Sequence, residues 1–269
     1  KKSKLLILNL YMVYPSNSGA KVVIFNRLVQ LSKFFDVTFC CLNEQESDFD
    51  CARFLSRFAK VVLVPYPAKK SSLLSRIYQQ FRNPSSTDLG AKFYSWIESS
   101  EIKELVEHSN FDIIEIVSAC WFHKIFLASK SKISLIALNS EGKYYTEKAK
   151  ACIPIFDLKG FFRAIIDSVL VSLQENRAVA SADIIISVFP PTTANRLFDK
   201  RGPAVNVVEN CGGIDLAYYS NNHTETVSLE SYGHPRLLFI STMFVESSVE
   251  AVLLFAKDIL PLIKDEFSN

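Results

Sequence analysis

The chain has 269 residues, of which 49% are hydrophobic and 22% are charged, a composition typical of a globular protein with a sizeable core. The net charge of +2 is too small to indicate a nucleic-acid partner by itself. No uncharged apolar run approaches the roughly 18 residues that a membrane-spanning helix needs, and the length fits one large domain or two.

Short apolar runs alternate with amphipathic segments along the chain. The apolar runs predict strands at residues 5–10, 37–42, 61–64, 113–117, 133–138, 184–188, 205–208 and 237–240. The amphipathic segments predict helices at residues 20–34, 51–58, 73–81, 91–106, 122–128, 158–180, 192–198 and 249–263. Most strand runs are continuously apolar, which is typical of buried parallel strands. The alternation therefore predicts an α/β fold built on a Rossmann-like, doubly wound parallel sheet.

Two stretches depart from this alternation, residues 69–92 and 141–159, and the second is expected to be irregular. A turn at Gly212 and Gly213 and a polar stretch at residues 220–234 precede a new strand and helix. We therefore predict a Rossmann-like domain over residues 1–220, a linker over 221–234 and the incomplete start of a second domain over 235–269.

The helix predicted at residues 249–263 carries an apolar stripe. Its members are Val249, Val252, Leu253, Ala256, Leu260 and Ile263. Leaving the five larger side chains in water would forgo roughly 7–15 kcal/mol, which is comparable to the net stability of a whole domain. We therefore expect residues 235–269 to pack against the first domain or to form a homodimer with the same segment of a second molecule.

The cysteines show neither a CxxC spacing nor a cluster with histidine. They are Cys40, Cys41, Cys51, Cys120, Cys152 and Cys211. This pattern predicts buried free thiols in a reducing compartment and no zinc site. Cys40 and Cys41 are neighbours on a predicted strand, so their side chains should point to opposite faces. Near the N-terminus, Asn9 and Pro15 favour a buried first strand over a signal peptide.

The loop after the first strand is the first candidate site. Ser18, Gly19 and Ala20 open a predicted helix, and a glycine there lets backbone N–H groups approach an anion such as a diphosphate. The loop contains neither GxGxxG nor GKS/T, so it is neither a dinucleotide fingerprint nor a P-loop. From these residues alone, an ordinary strand-to-helix turn remains the alternative.

Further candidates stand near the carboxyl ends of other predicted strands, where open α/β sheets bind ligands. Asn139 and Glu141 follow the strand at 133–138, and the carboxylate could orient a hydroxyl or a sugar, or cap a helix. Ser187 lies in the strand at 184–188, and His123 follows the strand at 113–117. These residues form no catalytic triad and no metal site, and a structural or solvated role is the alternative for His123.

Between Lys69 and Arg82, basic residues accompany apolar ones that include Leu73, Ile77 and Phe81. Such a segment can rest on an anionic membrane surface or contact a phosphorylated lipid acceptor. The alternative is the solvated outer face of a Rossmann-like domain.

Several segments spread over the chain carry a family resemblance. They begin with YPSNSGAKVVIFNRLVQLSKFFDVTFCCL, FDIIEIVSACW and LNSEGKYY. They continue with QENRAVASADIIISVFPPTTANRLF, NVVENCGGIDLAYY and PRLLFISTM, and end with SSVEAVLLFAKDILPLIKDE. Taken in order, these segments resemble the first half of the GT-B glycosyltransferases of the retaining, glycogen-synthase-like group called family 4.

The resemblance implies that two domains close over a nucleotide-sugar and transfer its sugar, with retention, to a glycan or lipid-linked acceptor. It implies a hexosyltransferase of polysaccharide or glycolipid biosynthesis, cytoplasmic or peripheral at a membrane, in which donor phosphate oxygens assist proton removal. By resemblance Gly19 approaches the donor diphosphate and Glu141 lies on the acceptor side, while Asn210, Gly213 and Asp215 mark the crossing between domains. The nucleotide-sugar is a co-substrate, and no other cofactor, metal or nucleic acid is implied.

The sequence departs from the family at several positions. Ala20 replaces a frequent second glycine, Leu138 replaces a frequent histidine, and Glu115 lies closest to another absent histidine. The family's Glu-x7-Glu donor element would follow Asn269, so we expect this chain to be inactive alone. The alternative function is a truncated or degenerate GT-B module that binds a partner or a glycan without catalysis. An NAD-binding or epimerase domain is disfavoured because no glycine fingerprint follows the first strand.

Overall fold

Seven parallel strands form the central sheet. The computed structural model describes residues 1–65, 96–108, 110–118, 122–138, 141–153, 157–188, 206–209 and 246–266. The strands are β1 (Lys4–Leu8), β2 (Asp36–Asn43), β3 (Lys60–Pro65), β4 (Ile113–Val117), β5 (Lys132–Ala137), β6 (Ile184–Ser187) and β7 (Asn206–Glu209). Their order across the sheet is β3-β2-β1-β4-β5-β6-β7, and every neighbouring pair is parallel. The predicted Rossmann-like, doubly wound α/β fold is therefore confirmed.

Helices cover both faces of this sheet. They are α1 (Gly19–Leu31), α2 (Ser47–Leu55), α3 (Ser100–His108), α4 (Glu141–Cys152) and α5 (Leu158–Ser181), with a 3₁₀-helix at Lys124–Ala128. None of the helices within the described ranges is long and apolar enough to cross a membrane. The seven strands overlap the predicted ones. The strand predicted at 237–240 and the helices predicted at 73–81 and 192–198 lie outside the described residues.

Two apolar cores lie on opposite faces of the sheet, because successive residues of a strand point to opposite sides. On one face, Ile24 and Leu28 of α1 and Leu55 of α2 pack against β1 and β2. On the other face, α3, the 3₁₀-helix and the carboxyl-terminal part of α5 pack against β1, β4 and β5. Cys40 belongs to the second core and Cys41 to the first, which confirms that these two side chains point to opposite faces.

The stretch 141–159 is not irregular as predicted, because it begins with α4. The side of α4 that is turned inward carries small side chains at helical spacing. Gly142 and Ala149 are buried and Thr146 between them is half-buried. Since no large apolar side chain marks this face, the sequence shows no helical period there.

Three other helices differ from their predicted bounds. The helix predicted at 91–106 is interrupted: Trp96 and Ile97 are helical, a turn follows at residues 98–99, and α3 begins at Ser100. The Ser99 hydroxyl caps α3 by accepting a hydrogen bond from the Ile102 backbone N–H at 3.3 Å. The helix predicted at 122–128 is a five-residue 3₁₀-helix. The helix predicted at 51–58 begins earlier, at Ser47, and Asp48 and Asp50 in its first turn complement the helix dipole.

The chain divides into two compact units, Lys1–Gly213 and Ile214–Asn269. The described residues of the second unit form one helix in three segments: α6 (Glu246–Leu254), a π-helical turn (Phe255–Ile259) and α7 (Leu260–Glu266). The Leu260 N–H donates to the Phe255 carbonyl oxygen, five residues earlier. Pro261 follows, and because proline has no N–H and crowds the carbonyl four residues before it, the helix widens there. The predicted linker and domain bounds stay a prediction.

The π-helical turn shifts the apolar stripe predicted for this helix. The half-buried line consists of Val252, Phe255, Leu260 and Ile263. The other members of the predicted stripe are exposed, namely Val249, Leu253 and Ala256. Leu260 lies one π-helical turn after Phe255, which is one residue more than in an α-helical turn. Leu260 and Ile263 are therefore in line with Phe255 instead of Ala256.

Candidate functional site

The connections of the sheet reverse direction between β1 and β4. From β1 the chain passes through α1 and α2 on one face and reaches β3 at one edge of the sheet. From β4 it proceeds toward β7, with the 3₁₀-helix and α5 on the other face. Open α/β sheets bind ligands in the crevice at the carboxyl ends of the strands beside such a reversal. This edge, between β1 and β4, is the candidate site.

The start of α1 lies on the β1 side of the candidate site. Gly19 is the first residue of α1, and Ser18 before it is extended and makes no side-chain cap. The first turn carries no acidic residue, and a Cβ added at Gly19 would meet nothing within 4 Å. Ser18, Gly19 and the exposed Ala20 therefore present a helix N-terminus with space around it, an arrangement that favours an anion.

An aromatic cluster holds the loop that leads to α1. Tyr14 stacks on Phe54 of α2 with ring centroids 4.0 Å apart, and it lies 5.9 Å from the ring of Phe25 in α1. Phe58 meets Phe54 and Phe25 edge-on. These ring contacts attach the loop to both helices, so the packing of the aromatic cluster fixes the position of the start of α1.

Two buried residues at this edge were missed by the sequence analysis as site residues. Asn9 follows β1 and is 1% exposed; its Nδ2 donates to the Tyr11 carbonyl oxygen at 2.7 Å. Its Oδ1 is buried and accepts no hydrogen bond within the described part of the chain. Ser118 follows β4 with φ of 75°, a left-handed conformation that costs a non-glycine residue about 1–3 kcal/mol. Orphaned acceptors and strained backbone cluster at functional sites.

Of these two residues, only Asn9 stands out in the sequence, because it interrupts the apolar run of the first strand. Nothing in the sequence distinguishes Ser118 from a serine in an ordinary turn.

The start of α4 lies at the same edge of the sheet, after β5. Glu141 is its first residue, and the placement of its side chain lies outside what the structure describes. The Gly142 N–H donates to Glu175 Oε2 of α5 at 3.3 Å, so Glu175 places a carboxylate at the N-terminus of α4. A Cβ at Gly142 would lie 2.3 Å from Ser172 Oγ and 2.9 Å from Glu175 Oε2. Gly142 therefore serves the close packing of α4 on α5.

Polar side chains continue this contact between the two helices. Thr146 Oγ1 and Ser168 Oγ lie 2.6 Å apart, and they lie 2.9 and 3.1 Å from the Gly142 carbonyl oxygen. Glu175 and Ser168 are both buried. The α4–α5 pair is thus joined by hydrogen bonds of small polar side chains.

His123 caps the 3₁₀-helix. Its Nδ1 accepts a hydrogen bond from the Ile125 N–H at 3.2 Å, so the neutral ring carries its proton on Nε2. His123 Nε2 lies 3.8 Å from Glu98 Oε1, and the ring is largely buried. Gln174 of α5 donates to the carbonyl oxygen of the adjacent Phe122. His123 therefore has a structural role here, and its acceptor-side role stays a prediction.

Ser187 ends β6 opposite Ala137, at the predicted edge of the sheet. Its side chain is fully buried, so its hydroxyl is not open to a ligand in this conformation. The predicted crevice role of Ser187 would require a rearrangement around it.

Glu115 lies in the middle of β4 and is buried below α1. Arg27 of α1 binds it with two hydrogen bonds, Nε to Oε1 at 2.9 Å and Nη2 to Oε2 at 2.5 Å. Ser134 on β5 donates to Oε2 at 3.3 Å. Every strong contact of this carboxylate is made inside the fold, so Glu115 acts as a structural ion-pair partner.

The remaining predicted site residues are Asn139, Asn210, Gly213 and Asp215, and they lie outside the described residues, as does the segment from Lys69 to Arg82. Their predicted positions and roles stay predictions.

Titratable clusters are scarce among the described residues. None of their His, Cys, Asp and Glu side chains form a group of three or more that could hold a metal ion. Cys40, Cys41, Cys51 and Cys152 are free thiols. Burial raises the pKa of the Cys40 and Cys41 thiols, so neither is a reactive thiolate at neutral pH.

A depression of about 490 Å³ opens at the opposite, amino edge of the sheet. Its basic lining residues are Lys1, Lys2, Arg57 and Lys60. Because ligands of open α/β sheets bind at the carboxyl edge, this depression is not part of the candidate site, although its cations make it a competitor for anions.

No protein-family model matches the sequence, and no curated protein matches it. Two similar solved structures are crystal structures of Arabidopsis thaliana UGT89C1, one complexed with UDP-L-rhamnose and one with UDP. The TM-scores are 0.43 and 0.42 at 15% and 14% identity, and each match covers 82% of this chain and 54% of the other. The chain therefore spans about half the length of these structures. The α/β fold of this chain is shown by its own seven-stranded parallel sheet.

Proposed function

We propose that this chain is the acceptor-side half of a GT-B glycosyltransferase that transfers a sugar from a nucleotide-sugar to a glycan or lipid-linked acceptor. The observation that carries the proposal is the open, uncapped start of α1 beside the reversal between β1 and β4. A helix N-terminus at this position suits a diphosphate. The order of the sequence segments that resemble family 4 supports retention of anomeric configuration and a polysaccharide or glycolipid product.

Each candidate residue has a role in this proposal. The backbone N–H groups of Ser18, Gly19 and Ala20 stabilise the leaving diphosphate electrostatically, without a metal. Glu141, Asn139 and His123 lie on the acceptor side, and donor phosphate oxygens assist proton removal from the acceptor hydroxyl.

The proposal also concerns the whole protein. In this proposal Asn210, Gly213 and Asp215 mark the crossing to a second domain that holds the nucleotide, and Ser187 joins this crevice only after a rearrangement that opens its hydroxyl. The enzyme works in the cytoplasm or at a membrane surface. Retention is tested in a transfer assay of the full-length protein by the anomeric proton signal of the product. An inverted product would exclude the family-4 assignment.

Amide chemical shifts of the purified chain test the site. Addition of UDP, UDP-glucose or GDP-mannose should shift the amide signals of Gly19 and Ala20, with weak affinity and no turnover. The Lys60 amide reports on the competing depression at the amino edge, and it should shift less than the Gly19 amide. Shifts confined to Lys60 and its neighbours would place the anion in the depression at the amino edge and contradict the proposal. Turnover of a nucleotide-sugar by this chain would show that the chain itself contains the donor pocket.

A second candidate function is a GT-B module that binds a partner or a glycan without catalysis. Two observations favour it: the Ser187 hydroxyl is fully buried, and Nδ1 of His123 is occupied by a backbone hydrogen bond. This candidate predicts no shift at Gly19 with any of the three nucleotide probes.

A further inference from the structure

The exposed side of α5 carries a stripe of large apolar side chains, each between 39% and 67% exposed. The stripe consists of Leu158, Phe162, Ile165, Ile166, Val169 and Leu173. At 3.6 residues per turn these side chains fall within about 100° of arc, and they extend about 22 Å along the helix. A contiguous apolar surface of this kind marks an interaction site more often than isolated exposed residues do. We call it the α5 stripe.

The other side of α5 is buried, and it combines four apolar residues of small or medium size with four polar ones. Asp167, Ser168, Gln174 and Glu175 are all buried there. Glu175 accepts the Gly142 N–H, and Gln174 donates to the Phe122 carbonyl oxygen. Rotating the helix to bury the α5 stripe would break these bonds and expose small and polar surface instead. The polar contacts therefore hold the stripe outward.

The exposed charges of α5 are all positive. The helix has five charged residues, of which Asp167 and Glu175 are buried, whereas Lys159, Arg163 and Arg177 are exposed. At helical spacing the three cations fall along one border of the α5 stripe. The exposed side of α5 therefore combines large apolar side chains with cations and has no carboxylate.

We propose that the α5 stripe docks on an anionic lipid bilayer. Helices with an apolar side and basic borders lie in the headgroup region, with the apolar side chains toward the acyl chains and the cations at the phosphates. A second copy of the chain fits less well, because two paired stripes would bring cations of the same sign together. This inference involves a different surface from the carboxyl-edge crevice and stands whether or not that crevice binds a nucleotide-sugar.

Co-sedimentation of the purified chain with vesicles tests the proposal. We expect binding to phosphatidylcholine vesicles that contain phosphatidylglycerol, and much weaker binding to phosphatidylcholine alone. Phe162→Gln should weaken binding to the anionic vesicles about 10-fold, because the variant lacks the phenyl ring that the wild type inserts into the bilayer. Lys159→Gln with Arg177→Gln should weaken it about 5-fold per cation and reduce its salt dependence.

Phe34→Gln is the matched control, since Phe34 is 70% exposed and lies in the turn that follows α1 rather than on α5. This variant should bind vesicles as the wild type does, and circular dichroism should show all variants folded. Failure of the wild type to sediment with anionic vesicles would overturn the proposal. So would equal losses in Phe162→Gln and Phe34→Gln. A dimer seen by analytical ultracentrifugation and abolished by Phe162→Gln would assign the stripe to a second copy of the chain and would also overturn it.

Discussion

Helices α1 and α5 cover opposite faces of one sheet and differ in where their large apolar side chains lie. α1 turns Ile24 and Leu28 inward, together with the Arg27 guanidinium that pairs with Glu115. α5 turns inward four polar side chains together with smaller apolar ones such as Val171 and Val179, and it leaves six large apolar side chains exposed. The difference teaches that apolar periodicity shows where a helix is and which residues share a side, but not which side faces the protein.

Breaking the ion pair below α1 should have the largest effect on stability. Arg27→Met removes the partner of a carboxylate whose side chain is only 2% exposed, so we expect a loss of about 3–5 kcal/mol in the free energy of unfolding. Urea denaturation measures it. The double variant Arg27→Met with Glu115→Leu should recover most of the loss. If the double variant is as unstable as the single one, the cost is not that of an unpaired buried charge.

Truncating one apolar side chain in each helix tests the comparison itself. Leu28→Ala in α1 creates a cavity in a closed core and should cost about 2–5 kcal/mol. Val169→Ala in α5 removes an exposed side chain and should change the stability by less than about 0.5 kcal/mol. Comparable losses in the two variants, measured by thermal and urea denaturation, would show that the α5 stripe is covered.

Substitutions of the glycines at the starts of α4 and α1 should change the stability by smaller amounts. Gly142→Ala places a Cβ against Ser172 and Glu175 and should cost about 1–3 kcal/mol as the helices move apart. Gly19→Ala meets nothing within 4 Å and should leave stability unchanged or raise it by up to about 1 kcal/mol. Differential scanning calorimetry compares them. A neutral Gly142→Ala variant would mean that the polar contact between α4 and α5 is loose.

The smallest effect on the free energy of unfolding is expected for a substitution of Asp183, which lies between α5 and β6. Asp183 accepts hydrogen bonds from the Ile133 N–H and from Lys132, and the first of these is the main cause that lowers the pKa of its carboxyl. A lowered pKa stabilises the fold above the unfolded value of about 3.9, and this stabilisation is lost as the pH falls through the folded pKa.

Asp183→Asn should therefore cost less than about 1 kcal/mol at neutral pH, because the side chain is partly exposed. The difference from the wild type should shrink below about pH 4. Urea denaturation at several pH values measures it, and a difference that grows in acid would contradict the assigned cause.

Much of the fold could be predicted because the strands are continuous apolar runs, and their alternation with helices leaves few topologies. The prediction failed for α4 because the helix is buried through Gly142, Thr146 and Ala149, whose small side chains give no apolar period. The carboxyl-terminal helix was predicted, but its π-helical turn was not, because Pro261 widens the turn before it and a regular helical period does not include this effect.

The candidate site was less predictable than the fold. The sequence placed Gly19 and Glu141 after strands, and both begin helices at the carboxyl edge of the sheet. It could not show that Ser187 is closed to solvent, or that Ser118 is strained, because both follow from packing between distant segments.

The central claim is that the start of α1 binds the diphosphate of a nucleotide, and two variants of Gly19 test it most directly. Gly19→Asp and Gly19→Asn add side chains of nearly equal size into open space, and only the first adds a negative charge. We predict that the Gly19→Asp variant binds UDP or GDP about 10-fold more weakly than the Gly19→Asn variant, because the added carboxylate repels the phosphates. Equal affinities of the two variants, measured by NMR titration, would contradict the claim.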